Sequence, residues 1–245
     1  MVVRCASTKC IFGHVIPRKG ADEEDFAANL VTEDVSWLGH TELMLKGDNE
    51  PALQALIARS LEVIRVKAGH VDKINTERPP AYDSQSNGGV EVGVLLIRGL
   101  FRTLRLCLEA RIGKRIPAGH VMIPRLLEHT CFLLNIKSRG SDGHTAWARA
   151  RGRPFGQKML GIGEGVLYKL PSKGPQSAAN MSARWADAVF LGYSRTSNTY
   201  RLCTADGLVT ARSLNRLLQP TDGLRKPSPP SRRLLGRSAD GAHRR

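Results

Sequence analysis

The chain has 245 residues, enough for one large domain and a smaller one, and 41% of them are apolar, enough for a core. Its formal net charge of +15 and pI near 10.2 favour a polyanionic partner, nucleic acid before membrane. No apolar run approaches the roughly 18 residues that a membrane-spanning helix needs, and the first residues lack the pattern of a signal peptide.

Five scattered cysteines indicate free, buried thiols in a reducing compartment rather than a disulfide framework. Cys5 and Cys10 have no second Cys/His pair at zinc spacing, which argues against a metal site there.

The first elements in chain order are a β-hairpin and a helix. Residues 1–6 and 10–16 predict the hairpin, with His14 packed inside its second strand. Four acids at 22–25 fit the first turn of a helix over 22–37 better than a metal cluster, because acids there complement the helix dipole. The residues expected to face inward are Phe26, Leu30 and Trp37.

A strand, a second helix and a loop should follow. The apolar run 43–45 predicts a strand that leads to Asp48, and Pro51 suits the first turn of a helix over 51–68. Carboxylates at strand ends in open α/β sheets tend to lie exposed at the functional edge. The polar stretch 71–88 is predicted to be a loop. The apolar stripe of the helix comprises Leu53, Leu56, Ile57, Leu61, Ile64 and Val66.

A long helix is predicted from the Asn-Gly break at 87–88 to about Arg111, with Glu91 near its start. At about 100° per residue, three arginines share the face of Glu91. They are Arg98, Arg102 and Arg105. A carboxylate that could hold a metal, followed by cations that could hold phosphates, suits cutting or joining nucleic acid. The alternative is an ordinary solvated charged face. Residues free to face the core include Leu96, Leu100 and Cys107.

The remainder predicts another helix over 120–136 and then short alternating strands, typical of a small β-sheet or barrel. The strands are 165–169, 188–193, 199–203 and 207–210. The glycine-rich run 161–165 lacks the lysine of a phosphate-binding loop. The tail from Thr221 should be disordered and basic. It could hold DNA loosely, act as a nuclear address or be simply solvated.

Two of these stretches together resemble the catalytic core of a retroelement integrase, which has a ribonuclease-H-like fold. Asp48 and Asn49 match a segment that ends a strand in that family. Asn87, Gly88 and Glu91 match the Asn-Gly-x-x-Glu segment that opens its long helix.

Two further matches resemble copia-like retrotransposons. Residues 145–149 and 152–155 are similar to the segment that closes the integrase core in such elements. Residues 190–194 and 200–202 are similar to a Phe-Leu-Gly-Tyr…Tyr-Arg-Leu pattern that follows it. The resemblance extends over roughly residues 1–215.

The resemblance implies an integrase-core-like α/β domain over residues 1–150, a small β-rich module over 151–219 and a disordered basic tail over 220–245. The family's first central strand and its catalytic Asp precede the hairpin, which here starts at Met1. We therefore expect an N-terminally truncated core. Its mixed sheet would lack that strand, and the strand before Asp48 would pair with the hairpin directly or leave a gap.

In the family, three carboxylates hold two Mg²⁺ (or Mn²⁺) ions for strand transfer during DNA integration. Asp48 and Glu91 would supply two of them, and the arginine face of the long helix would contact DNA, or RNA. Integrases act as multimers, so a homo-oligomer is implied, in the nucleus if DNA is the target. Alternative third ligands are Asp22, Asp25 and Asp83, though their spacing does not argue for any of them.

The sequence departs from the family's pattern in ways that predict impaired or absent activity. The first Asp is missing, Gly47 stands where Ser or Thr is common, and Val92 stands where Arg is common. Two other hypotheses are a non-catalytic nucleic-acid-binding protein and a decayed retroelement relic. Only an active enzyme should require Asp48 and Glu91, whereas a binding module should require the arginines.

Overall fold

The computed structural model of the chain describes residues 1–77, 88–171 and 182–217. Four sequence predictions concern residues wholly or partly outside these ranges. They are the part of the predicted loop at 78–87, the role of Asn87 in the Asn-Gly break, the alternative ligand Asp83 and the basic tail.

The chain begins with the predicted antiparallel hairpin, formed by β1 (Val2–Arg4) and β2 (Ile11–Gly13). The helix α1 (Phe26–Leu38) follows. The Asp22 carboxylate accepts hydrogen bonds from the backbone N–H groups of Phe26 and Ala27, at 2.7 and 3.2 Å. The prediction that these acids form the first turn of the helix is therefore wrong: α1 begins at Phe26, and the acidic run precedes it, with Asp22 binding its first N–H groups. Phe26 is exposed, which contradicts its predicted inward orientation, whereas Trp37 is buried.

The next unit consists of β3 (Glu42–Lys46), α2 (Pro51–Lys67) and β4 (Lys73–Glu77), with the two strands parallel and in register. The prediction of a loop over 71–88 is wrong at β4. That strand carries only one apolar residue, Ile74, so its sequence has no strand-like alternation. Val66 is 83% exposed and does not belong to the apolar stripe of α2.

The two strand pairs form separate two-stranded sheets within the described residues. This contradicts direct pairing of β3 with the hairpin and agrees with the predicted interruption of the sheet. Apolar side chains join the pairs instead, because Met1 and Val3 share a cluster with Leu43 and Leu45, packed on Val31, Val35 and Ile64.

Three helices follow, α3 (Gly88–Ile112), α4 (Met122–Lys137) and α5 (Ala146–Arg151). The long helix and the helix over 120–136 are thereby confirmed. Asn135 ties α4 to the hairpin, because its side-chain amide bonds both the N–H and the carbonyl of Ile11, each at 2.8 Å.

A five-stranded antiparallel sheet with strand order β8-β7-β6-β5-β9 closes the described chain. Its strands are β5 (Gly165–Lys169), β6 (Trp185–Tyr193), β7 (Tyr200–Thr204), β8 (Gly207–Ala211) and β9 (Leu214–Arg216). The four predicted strands are confirmed, and β9 was not predicted. One face of the sheet packs on Phe132 and Ile136 of α4, so the sheet and α4 share a core.

Among the helices in the described ranges, none is both long and apolar enough to cross a membrane.

Candidate nucleic-acid interface and carboxylate positions

Asp48 lies exposed just beyond β3, in a loop held by α2. The Gln54 side chain donates a hydrogen bond to the Asp48 carbonyl at 2.7 Å. A Cβ atom on Gly47 would lie 2.8 Å from Ile57 Cδ1 and 2.9 Å from Leu53 Cδ2. The glycine at the position where Ser or Thr was expected therefore has a local cause, the close approach of α2 to this loop.

Glu91 lies exposed in the first turn of α3. The start of this helix rests on β1, since the Arg4 guanidinium donates to the Gly89 carbonyl and Gly93 is buried beside Arg4 and Ile11. A carboxylate in the first turn is also favoured by the helix dipole. The helix dipole therefore gives a structural reason for a carboxylate at this position.

The three predicted arginines differ in what they contact. Arg98 and Arg102 are exposed. Arg105 is half-buried, with its Nε 3.0 Å from Glu109 Oε1, and it also donates to the Ile116 carbonyl. Glu109 in turn accepts from the Ile116 N–H at 2.9 Å, and that bond together with Arg105 lowers the Glu109 pKa. Arg105 therefore holds the end of α3, and the exposed cationic pair is Arg98 and Arg102.

The rest of the outer surface of α3 is partly apolar. Leu95 and Leu106 are each 65% exposed. Leu96 and Cys107 are exposed as well, which contradicts the expectation that they face the core.

The described residues do not fit a metal site of three carboxylates. No group of three or more His, Cys, Asp or Glu side chains able to hold a metal occurs among them, at Cys5 and Cys10 or elsewhere. Asp22 is engaged in capping α1. Asp25 lies 2.6 Å from Arg59, whose hydrogen bonds lower the Asp25 pKa.

The segment 145–149 that resembles the end of an integrase core has structural contacts. The Thr145 hydroxyl accepts from the Ala148 N–H at 3.1 Å and caps α5. Arg149 pairs with Asp142 at 2.9 Å and donates to the Thr8 carbonyl at 3.3 Å. This segment thus fixes a turn and α5 against the loop of the hairpin.

The segment 190–193 resembling the copia-like pattern also builds the core. Phe190 is fully buried. The Tyr193 hydroxyl donates to the Lys158 carbonyl and accepts from the Leu160 N–H, both at 2.9 Å. Gly192 sits at a β-bulge with φ +142°, a conformation that favours glycine, and a Cβ added there would lie 3.7 Å from His129 Nδ1.

Sequence reasoning missed a buried ionic cluster. Asp34 is fully buried between His14 Nε2 at 2.7 Å and an Arg195 guanidinium nitrogen at 2.6 Å. His14 follows β2 rather than lying inside it, so the prediction of apolar packing is wrong. The three residues are far apart in the sequence, and no motif spacing links them.

A cavity of about 480 Å³ lies beside this cluster, with Arg125, Arg195 and Arg201 in its lining. Arg125 and Arg201 both pair with Glu128, at 2.8 and 2.7 Å, and Arg195 pairs with Asp34. These cations already have protein partners, so the cavity does not offer unpaired charge to an anionic ligand.

No family model and no curated protein matches this chain. Among solved structures, it is similar to one of the simian T-cell lymphotropic virus intasome in complex with PP2A regulatory subunit B56 gamma. The identity is 15% and the TM-score 0.42, over 90% of this chain and 72% of that one. It is also similar to the catalytic core domain of BIV integrase, with 21% identity and a TM-score of 0.37, over 60% of this chain and 80% of that one. Similarities this distant leave the function to be argued from the residues of this chain.

Proposed function

We propose that this chain is an integrase-like domain of the copia-like type that binds nucleic acid through α3. DNA is the preferred partner and RNA the alternative, with a homo-oligomer as the bound form and the nucleus as the place of action. The observation that carries the proposal is the exposed pair Arg98 and Arg102, one helical turn apart on the helix that Glu91 opens. The net charge of +15 and the motifs at Asp48 and Glu91 support it.

Arginines on such a face bind phosphates and release condensed counterions, so affinity falls with salt. Each phosphate contact contributes about 0.9 to the slope of log affinity against log salt concentration. Two arginines therefore account for a slope change of about 2.

The test is fluorescence anisotropy of a labelled DNA duplex titrated with the full chain at several KCl concentrations. Arg98→Gln/Arg102→Gln should weaken binding and reduce the salt slope by about 2. The matched control is Arg65→Gln/Arg212→Gln, which removes the same charge from two exposed positions outside α3, one in α2 and one between β8 and β9. An equal loss in both variants would assign binding to overall charge and overturn the role of α3.

A second candidate function is Mg²⁺- or Mn²⁺-dependent strand transfer. Its support is the resemblance of the segments at Asp48 and Glu91 to the integrase motifs, together with the exposure of both carboxylates. Asp48→Asn and Glu91→Gln should then abolish metal-dependent nicking of DNA while leaving anisotropy unchanged. If the native chain binds DNA but does not nick it, strand transfer is excluded and only the binding function remains. A chain that neither binds DNA nor unfolds cooperatively would be a decayed relic.

A further inference from the structure

Cys5 and Cys10 face each other where the β1–β2 hairpin closes. The Cys5 N–H donates to the Cys10 carbonyl at 2.9 Å, one position beyond the last strand pair. Both cysteines pack in one apolar cluster around Trp37. Cys5 and Cys10 continue the register of the Arg4–Ile11 pair, and residues that face each other across antiparallel strands project to the same side of the hairpin, as a disulfide requires.

Polar groups surround the sulfur of Cys5. Its Sγ lies 3.3 Å from the Ser7 hydroxyl and 3.4 Å from His40 Nε2, and it accepts from the Thr8 N–H at 3.4 Å. Burial raises the pKa of this thiol, but hydrogen bonds with Ser7, Thr8 and His40 together outweigh burial and lower the pKa to about 7. The lowered pKa raises the thiolate fraction of Cys5 near neutral pH, and the thiolate is the reactive form.

Cys10 has the opposite environment. Its side chain is fully buried, and its thiol donates to the Ala146 carbonyl at 3.4 Å. Burial raises its pKa to about 11, with Arg149 and Arg151 as the nearby cations. The hairpin thus pairs an activated, half-exposed thiol with a protonated, enclosed one.

We propose that Cys5 is a peroxide-reactive thiol and that Cys10 then closes a Cys5–Cys10 disulfide. The Cys5 thiolate sulfur attacks one oxygen of hydrogen peroxide, the O–O bond breaks, and the departing hydroxide takes a proton to become water. Cys5 is now a sulfenic acid. The Cys10 sulfur attacks the Cys5 sulfur, the S–S bond forms and the S–O bond breaks. The leaving hydroxyl departs as water with the Cys10 proton.

The test uses the reduced full chain, treated with hydrogen peroxide, alkylated and digested with trypsin. Cleavage after Arg4 and Lys9 separates residues 5–9 from residues 10–18. A disulfide holds these peptides together, with a mass two hydrogens below their sum. We expect this pair to form at least about tenfold faster than oxidation of the exposed Cys107. The proposal would be overturned if peptides 5–9 and 10–18 were recovered separately, each alkylated on its cysteine, while Cys107 was oxidised.

Two cysteine variants separate the two steps, and a histidine variant with its control tests the environment of Cys5. Cys10→Ser should leave a sulfenic acid on Cys5 that dimedone traps in peptide 5–9, and its absence would overturn the proposal. Cys5→Ser should leave Cys10 reduced. His40→Asn should raise the pH midpoint of Cys5 alkylation, whereas His70→Asn, at an exposed control position, should leave it unchanged. An unchanged midpoint in His40→Asn would exclude His40 as a positioning residue.

Discussion

His129 lies on the buried side of α4 against the C-terminal sheet, and only 3% of its surface is exposed. Neither ring nitrogen has a hydrogen-bond partner in the described part of the chain. The ring stacks on Tyr193, with centroids 6.0 Å apart, and meets Phe190 edge-on. Burial lowers its pKa to about 4, so the folded protein holds this side chain neutral.

The protein should lose stability as the pH falls from about 6.5 to about 4. The unfolded chain protonates His129 near its ordinary pKa and the folded chain does not, so protonation favours unfolding in this window. The loss should reach about 3 kcal/mol. Urea unfolding across this range measures it. His129→Leu should flatten the dependence, and His70→Leu, at an exposed position, should not.

Asp34 is a second residue on which stability should depend. Asp34→Asn leaves the half-buried Arg195 guanidinium without its charged partner, and we expect a loss of about 3 kcal/mol in the free energy of unfolding. Asp206→Asn, in an exposed turn, is the control. A loss as small as that of a surface ion pair, under about 1 kcal/mol, would contradict a supporting role for the buried cluster.

At the scale of elements, Tyr193 joins β6 to the segment before β5. Tyr193→Phe removes both hydrogen bonds of the buried hydroxyl and leaves the Lys158 carbonyl and the Leu160 N–H unpaired. The free energy of unfolding should fall by about 2 kcal/mol in urea titrations. Tyr168→Phe, at a half-buried position in β5, should change it by much less. If the two variants lost the same free energy of unfolding, the hydrogen bonds of the Tyr193 hydroxyl would not be what holds the segment, and its aromatic packing would be.

The elements that the sequence predicted are those whose apolar pattern matches their burial. In β5 and β7, alternation and bounding glycines or turns mark the strands. In β4 the alternation is missing, because only Ile74 is apolar and the parallel pairing with β3 depends on a neighbour distant in sequence. The start of α2 was predictable from local chemistry at Pro51, whereas the start of α1 lies four residues beyond the predicted one, because Asp22 binds the first N–H groups of the helix from outside it.

The candidate sites were predictable to different degrees. Asp48 and Glu91 stand at element ends that local signals mark. The salt bridge between Arg105 and Glu109 could have been predicted from sequence, because the two residues are four positions apart on one helix. The contacts of Cys5 with His40, and of His14 with Asp34 and Arg195, arise only when separate elements pack, so a single sequence does not reveal them.

At the scale of the whole molecule, the helical part and the C-terminal sheet share one core. Phe132 of α4 stacks on Tyr193 of β6, with centroids 4.9 Å apart, and both contact Phe155. Trp147 of α5 joins the same group and also contacts Trp37 of α1. Apolar contacts thus run continuously from α1 to the sheet.

Unfolding should therefore be one cooperative transition. Phe132→Ala should cost about 4 kcal/mol and shift the tryptophan fluorescence and far-ultraviolet circular dichroism transitions together. Leu208→Ala, at a position that is 69% exposed, should shift neither. Two resolved transitions would instead support independent domains divided near residue 150.

The glycine at position 47 also has an evolutionary consequence. A Cβ there would lie 2.9 Å from Leu53 Cδ2 and 2.8 Å from Ile57 Cδ1, so a side chain at position 47 requires these two side chains to shift or to become smaller. Relatives of this chain that carry Ser or Thr at position 47 should carry smaller side chains at 53 or 57. The identity of that one loop residue would then report the distance between α2 and the loop that bears Asp48 across a whole lineage.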